Sequence, residues 1–114
     1  MICLIKEPAT DEQIQAMSQA CGRYIKLAVD IERGMLAGGG ELHADCEAVL
    51  LEVGSRQVDV WGADWYPAER EVGYESLINI RPRQNNRSME IQDPAIRRRV
   101  AEVVRRLLDR TGLQ

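Results

Sequence analysis

The 114-residue chain has no phenylalanine, a single histidine (His43), and three cysteines that never form a CxxC pair. No run of 18 apolar residues occurs, so no membrane span is predicted. The start, MICLIKEP, lacks the basic and apolar regions of a signal peptide. An odd number of cysteines without metal-ligand spacing fits a reducing compartment, where thiols act as small buried hydrophobic groups. These absences predict a cytoplasmic protein without a membrane anchor.

The length and the apolar fraction of 45% predict one α+β domain over residues 1–114. A chain of this size buries roughly two-thirds of its unfolded surface, which is enough for a core. Since phenylalanine is absent, the aromatic residues of the second half are expected to supply core bulk rather than a base-stacking surface. Those residues are Trp61, Trp65, Tyr66 and Tyr74.

Two helices are marked by their start signals. Thr10 and Gln13 have the spacing of a capping box, which predicts a helix that runs to about Cys21. Asp93-Pro94 combines an acidic N-cap with proline at the first helical position. The second helix is expected to end at Gly112, and its apolar face repeats at helical spacing. That face contains Ile96, Val100, Val103, Val104, Leu107 and Leu108.

Alternating apolar and polar residues predict the strands. Residues 24–37 and 42–51 alternate on either side of three glycines, the pattern of a hairpin with a permissive turn. Residues 1–6, 57–66 and 73–81 are the other predicted strands. The predicted fold is a single antiparallel sheet of four to five strands packed by two helices on one face. Its element order is β-α-β-β-β-β-α.

The predicted hairpin would place four carboxylates on one face of the sheet, with His43 among them. They are Asp30, Glu32, Asp45 and Glu47. Crowded carboxylates could hold Mg²⁺ or Ca²⁺, which prefer oxygen ligands. The favoured alternative is a face that is solvated or covered by arginines, so no metal site is assigned and these four remain weak candidates.

The sequence does not favour a zinc site or a bound nucleotide. His43 and Cys46 lie three apart, and on a strand they would point to opposite faces, which argues against zinc. The sequence contains no phosphate-binding loop, no nucleophile elbow and no HExxH motif. No cofactor is predicted.

Charge divides the chain unequally. Residues 1–80 carry 14 acidic and 6 basic residues, whereas residues 81–114 carry 4 acidic residues and 9 arginines, or −8 against +5. The arginines could bind an anionic partner, or they could neutralise the acidic part within one chain or across a dimer, which is the favoured interpretation. A segment with amide and guanidinium donors is the candidate anion site. It comprises Arg81, Arg83, Asn85, Asn86 and Arg87.

The same residues suggest a catalytic hypothesis. A histidine, a glutamate and an arginine are the groups of a metal-free ribonuclease, in which acid–base pairs move protons and arginine stabilises the phosphorane charge. His43, Glu47 and Arg87 are the candidate catalytic residues, with Glu32 and Arg81 as substitutes. The acidic face and the net charge of −3 count against an RNA substrate.

Several segments together resemble a family of short bacterial proteins known as a domain of unknown function. They are AGGGELHADCE, LLEVGSRQ, WGADWYP, SLINIRP and NRSMEIQDPAIR. The resemblance covers nearly the whole chain and implies a compact bacterial cytosolic domain without an assigned activity. One departure is Val53, where the family often has an acidic residue before the turn glycine.

The leading functional interpretation is a small non-catalytic binding or regulatory module that forms a homodimer. A protein partner or a small anion is the expected ligand, and neither nucleic acid nor membrane is expected. The alternative is a phosphodiester-acting enzyme that uses His43 with Arg81 or Arg87.

Overall fold

The computed structural model describes residues 1–109. The sheet has five strands: β1 (Cys3–Ile5), β2 (Ile25–Asp30), β3 (Met35–Gly38), β4 (Val60–Tyr66) and β5 (Glu71–Gly73). The helices are α1 (Asp11–Met17), α2 (His43–Glu52) and α3 (Pro94–Leu108). Short 3₁₀ turns cover Gln57–Asp59, Leu77–Asn79 and Pro82–Gln84. Within the described part of the chain, no helix is long and apolar enough to cross a bilayer.

All strand pairs are antiparallel, in the order β1-β3-β2-β4-β5, which confirms the α+β prediction. One core lies between the sheet and the helices α1 and α3, and it contains both tryptophans. A second, smaller core lies between the opposite face and α2, through Cys46 and Leu50. The helices therefore cover both faces of the sheet rather than one.

The helix start signals act as predicted. The Thr10 hydroxyl accepts from the Gln13 amide, and the Gln13 side chain accepts from the Thr10 amide, so the capping box forms. The Asp93 carboxylate accepts from the Ala95 amide at the start of α3. The apolar face of α3 is buried against the sheet. The predicted end at Gly112 lies outside the described residues.

The predicted strand over residues 24–37 is wrong, because the chain turns within it. The Asp30 carboxylate accepts from the amides of Glu32 and Arg33, and Gly34 adopts a φ of 67°. A side-chain-capped turn that ends in a left-handed glycine reverses the chain there. β2 and β3 consequently pair with each other, with Val29 opposite Leu36.

The predicted strand over residues 42–51 is also wrong, because this segment forms α2. Gly39 takes a φ of 99° and leads from β3 into the helix. The last predicted strand, residues 73–81, keeps only its first residue in β5, and the 3₁₀ turn Leu77–Asn79 follows. Both changes remove the predicted acidic sheet face and create the site described next.

Candidate functional site

A cavity of about 470 Å³ lies where α2 begins. Its floor is formed by the start of β2 and the end of β4, and its far wall is the segment that leads into the turn Leu77–Asn79. We call it the His43 cavity. It is lined by Tyr24, Lys26, Leu42, His43, Ala44, Asp64, Tyr66, Glu75, Ser76, Leu77, Ile78 and Met89.

His43 is fixed at the wall of this cavity by two acceptors. Its Nε2 lies 2.8 Å from Asp64 Oδ1 and 3.1 Å from the Ala63 carbonyl oxygen. A carboxylate and a carbonyl can only accept, so Nε2 carries the proton. Nδ1 has no partner among the described residues, whose buried side-chain nitrogen and oxygen atoms are all hydrogen-bonded. Nδ1 is therefore not buried.

Two tyrosines form another part of the wall. The rings of Tyr24 and Tyr66 are stacked with their centroids 5.2 Å apart. Burial raises the pKa of both hydroxyls, and the negative charge of Asp64 raises that of Tyr66 further. Both hydroxyls therefore stay protonated at neutral pH. Lys26, the only Lys or Arg that lines the cavity among residues 1–109, donates to the Glu41 carbonyl at 2.8 Å.

A second cavity of about 570 Å³ adjoins the first. We call it the Arg81 cavity, and it shares Leu77 and Ile78 with the His43 cavity. Its lining contains Glu47, Gln57, Val58, Leu77, Ile78, Ile80, Arg81, Pro82, Arg83 and Gln84.

The Arg81 guanidinium is held by the fold from several sides. It forms an ion pair with Glu47 at 3.2 Å, donates to the carbonyls of Ile78 and Gln57, and lies 4.9 Å from the centroid of the Trp61 ring. Burial lowers the pKa of Arg81, and the charge of Glu47 opposes that shift. These contacts occupy the planar fork that an anionic ligand would need.

The wall between the two cavities is anchored by the buried side chain of Asn79. Its oxygen accepts from the Gly62 amide at 2.8 Å, and its nitrogen donates to the carbonyls of Gly62, Tyr74 and Met89. The side-chain amide of Asn79 thus makes the hydrogen bonds to Gly62, in the middle of β4, that a neighbouring strand would otherwise make. Gly62 is required there, because an added Cβ would lie 2.5 Å from the Ser76 Cβ.

Large apolar side chains surround this wall. Eight such side chains are exposed among residues 1–109, and five of them line one of the two cavities. We call these five the apolar patch: Leu42, Val58, Leu77, Ile80 and Met89. Leu77, which is 72% exposed, projects where the cavities meet. The patch is therefore concentrated around the turn Leu77–Asn79.

The remaining residues of the predicted anion site have different surroundings. Asn86 is buried and donates to the carbonyls of Asn79, Ser88 and Glu90, so it ties the loop together. Asn85 adopts a left-handed φ of 61° at the end of a 3₁₀ turn. The guanidinium groups of Arg83 and Arg87 are exposed and make no ion pair with the described residues.

The predicted catalytic residues are divided between the two cavities. His43 lines the first, Glu47 lines the second and is paired with Arg81, and Arg87 lines neither. Glu32 is exposed and forms an ion pair with Arg99 on α3 at 3.1 Å. Among the described residues, arginines of the C-terminal third therefore form ion pairs with two carboxylates of residues 1–80, Glu47 and Glu32.

The four weak metal candidates do not share a surface. Asp30 is buried and accepts from the Ser55 hydroxyl at 2.6 Å, Glu32 is in the turn after β2, and Asp45 and Glu47 are on α2. Among residues 1–109, no three His, Cys, Asp or Glu side chains are grouped as metal ligands would be.

The parity argument that separated His43 from Cys46 is also wrong, since both residues are on α2. Cys46 is nevertheless unavailable as a ligand. It is buried, its Sγ lies 3.5 Å from the Lys26 carbonyl oxygen, and burial raises the pKa of its thiol to about 11. It is a core thiol, as the composition predicted.

The sequence reasoning missed Asp64, Tyr24 and Tyr66 as neighbours of His43. One signal could have found two of them, because Asp64 and Tyr66 alternate along β4 and must share a face. Lys26 and Asp64 are direct cross-strand partners, which fixes the floor of the cavity. The wall that contains His43 could not be predicted, because it depends on α2 beginning at His43 and the sequence predicted a strand there.

Comparison with known sequences assigns the chain to a family. Residues 3–107 match DUF5674, a family described as proteins of unknown function, and the chain belongs to it. The resemblance seen in the sequence is therefore confirmed. No curated protein and no solved structure matches significantly.

Proposed function

We propose that this member of the DUF5674 family is a non-catalytic binding module whose binding surface is the apolar patch. The observation that carries the proposal is the concentration of five of the eight exposed large apolar side chains around one turn. Exposed apolar surface is unfavourable in water, and a concentration of exposed apolar side chains is typical of an interaction site.

The way in which the patch is presented supports the same function. Asn79 and Asn86 hold the turn and the following loop with hydrogen bonds from buried amides. A preorganised surface loses little conformational entropy when it binds, so more of the contact energy is available as affinity. Leu77 itself contributes little to the core at 72% exposure, and its apolar character is better explained by binding than by folding.

A reducing, cytosolic environment is part of the proposal. Cys3, Cys21 and Cys46 are all free. Protein surfaces that bind through apolar contacts need no cofactor, and the carboxylates that once suggested a metal are paired within the chain at Asp30, Glu32 and Glu47.

The apolar patch can be tested with the dye 8-anilinonaphthalene-1-sulfonate, which fluoresces on exposed apolar surface. Leu77→Glu should lower the dye signal per chain at low protein concentration. The matched control is Leu51→Glu, because Leu51 is also an exposed leucine (39%) but lies outside both cavities. Equal dye signals from the two variants, with both still folded by circular dichroism, would argue against the proposal.

An enzyme that acts on phosphodiesters is the second candidate. The observation in its favour is His43, which lines the cavity with its proton held on Nε2 by Asp64, so that the unpaired Nδ1 is the nitrogen that could act as a base. The His43 cavity contains no arginine among the described residues to stabilise a phosphorane. Cleavage of a dinucleoside phosphate that His43→Asn abolishes would favour the enzyme, and no cleavage by the wild-type chain would exclude it.

A further inference from the structure

The two cavities beside the apolar patch differ in charge. The His43 cavity contains the carboxylates of Asp64 and Glu75 against one cation, Lys26. The Arg81 cavity contains two guanidinium groups, Arg81 and Arg83, against one carboxylate, Glu47. Counted over the Asp, Glu, Lys and Arg side chains among the described lining residues, one end of the surface is negative and the other is positive.

The turn between the cavities is their common wall. Leu77 and Ile78 line both, and Leu77 projects between two concave sites. A half-turn about an axis through this wall would exchange the two cavities. The surface is therefore complementary to itself in charge, with a negative end and a positive end.

We propose that the apolar patch is the interface of a twofold homodimer in which the His43 cavity of one copy faces the Arg81 cavity of the other. This inference rests on the proposed binding function and names its partner as a second copy of the chain. Leu77 of each copy packs near the twofold axis. Glu75 of one copy lies opposite Arg83 of the other, and the twofold axis makes this contact occur two times in the dimer.

About twenty residues line the two cavities together, which is at the lower end of the about 20–30 residues that a standard interface uses per partner. The aliphatic centre and charged ends follow the usual arrangement of an apolar core with a polar rim.

Charge reversal tests both the partner and its orientation. Sedimentation velocity over a concentration series should give a dimer for the wild-type chain. Glu75→Arg and Arg83→Glu should each weaken dimerisation at least about tenfold, because each places two pairs of like charges across the axis. The double variant should recover most of the wild-type affinity. Both residues are exposed, so the variants should unfold at the wild-type temperature.

The control is Arg98→Glu, an exposed arginine on α3, on the opposite side of the sheet from α2. It should leave the dimer unchanged. A wild-type chain that stays monomeric at every concentration overturns the homodimer. If the dye still binds through Leu77 in that case, the binding module stands and only the partner is wrong. A dimer whose single variants are weakened but whose double variant is not restored overturns the proposed orientation.

Discussion

Asn79→Ala should strongly destabilise the fold, because Asn79 connects the exposed turn to the middle of the sheet. The substitution removes four hydrogen bonds of a fully buried side chain. Each is worth about 1 kcal/mol net, and the Gly62 amide left without an acceptor costs about 1–3 kcal/mol. Because partial relaxation recovers some of this, the free energy of unfolding should fall by about 3–5 kcal/mol. Domains of this kind are stable by only about 5–15 kcal/mol.

A urea titration followed by the fluorescence of the buried Trp61 and Trp65 measures this change. With a denaturant slope of about 1–1.5 kcal/mol per molar, the midpoint should fall by about 3 M. The control is Asn85→Gly, since Asn85 is exposed and its left-handed φ of 61° suits glycine. It should change stability by less than about 0.5 kcal/mol. A loss below about 1 kcal/mol for Asn79→Ala would refute the anchoring role.

Three further outcomes are expected. Gly62→Ala, whose Cβ would lie 2.5 Å from the Ser76 Cβ, should cost about 1–3 kcal/mol in the same titration, and an unchanged midpoint would contradict the close packing. Arg81→Met should cost about 1–3 kcal/mol because it leaves the partly buried Glu47 without its cation, and adding Glu47→Gln should recover part of the loss. No recovery would mean that the pair is uncoupled. The Cys46 thiol has a pKa of about 11, so only about one thiol in a thousand is ionised at pH 8. A disulfide reagent should therefore modify Cys46 only after the protein unfolds. Rapid reaction in the native protein would show that the thiol is not buried.

The sequence predicted the elements whose signals are local. The capping box at Thr10 and the Asp93-Pro94 start each determine a helix through contacts within four residues. The burial of Trp61 and Trp65 followed from the absence of phenylalanine, which leaves few other large side chains for the core. These predictions succeeded because no distant part of the chain was needed to make them.

The segment after the three glycines was predicted wrongly because its apolar residues fit both the helical period and the alternation of a strand. Cys46 and Leu50 are spaced for a helix as well as for alternation. The strand prediction gave alternation more weight than composition, although alanine, leucine and glutamate are strong helix formers and valine is the single β-branched residue there. The true hairpin turn was marked by Asp30 and Gly34, the residue types of a capped turn.

The candidate site was harder to predict because its parts meet only through tertiary structure. His43 was identified as a single histidine near acidic residues, but its partner Asp64 is 21 residues away on β4. The apolar patch had no signal in the sequence. Leu77 and Ile80 are residue types that suit a strand, but the 3₁₀ turn Leu77–Asn79 buries Asn79 and leaves both of them exposed.

The accessibility of Leu77 tests most directly whether the apolar patch binds a second copy. In a chain whose half-buried Cys3 and Cys21 are serine, Leu77→Cys would be labelled with a maleimide over a range of protein concentrations, with Leu51→Cys as the control. We expect the labelling rate at residue 77 to fall as the protein concentration rises, while the rate at residue 51 stays constant. A rate at residue 77 that does not depend on protein concentration would contradict the proposed interface.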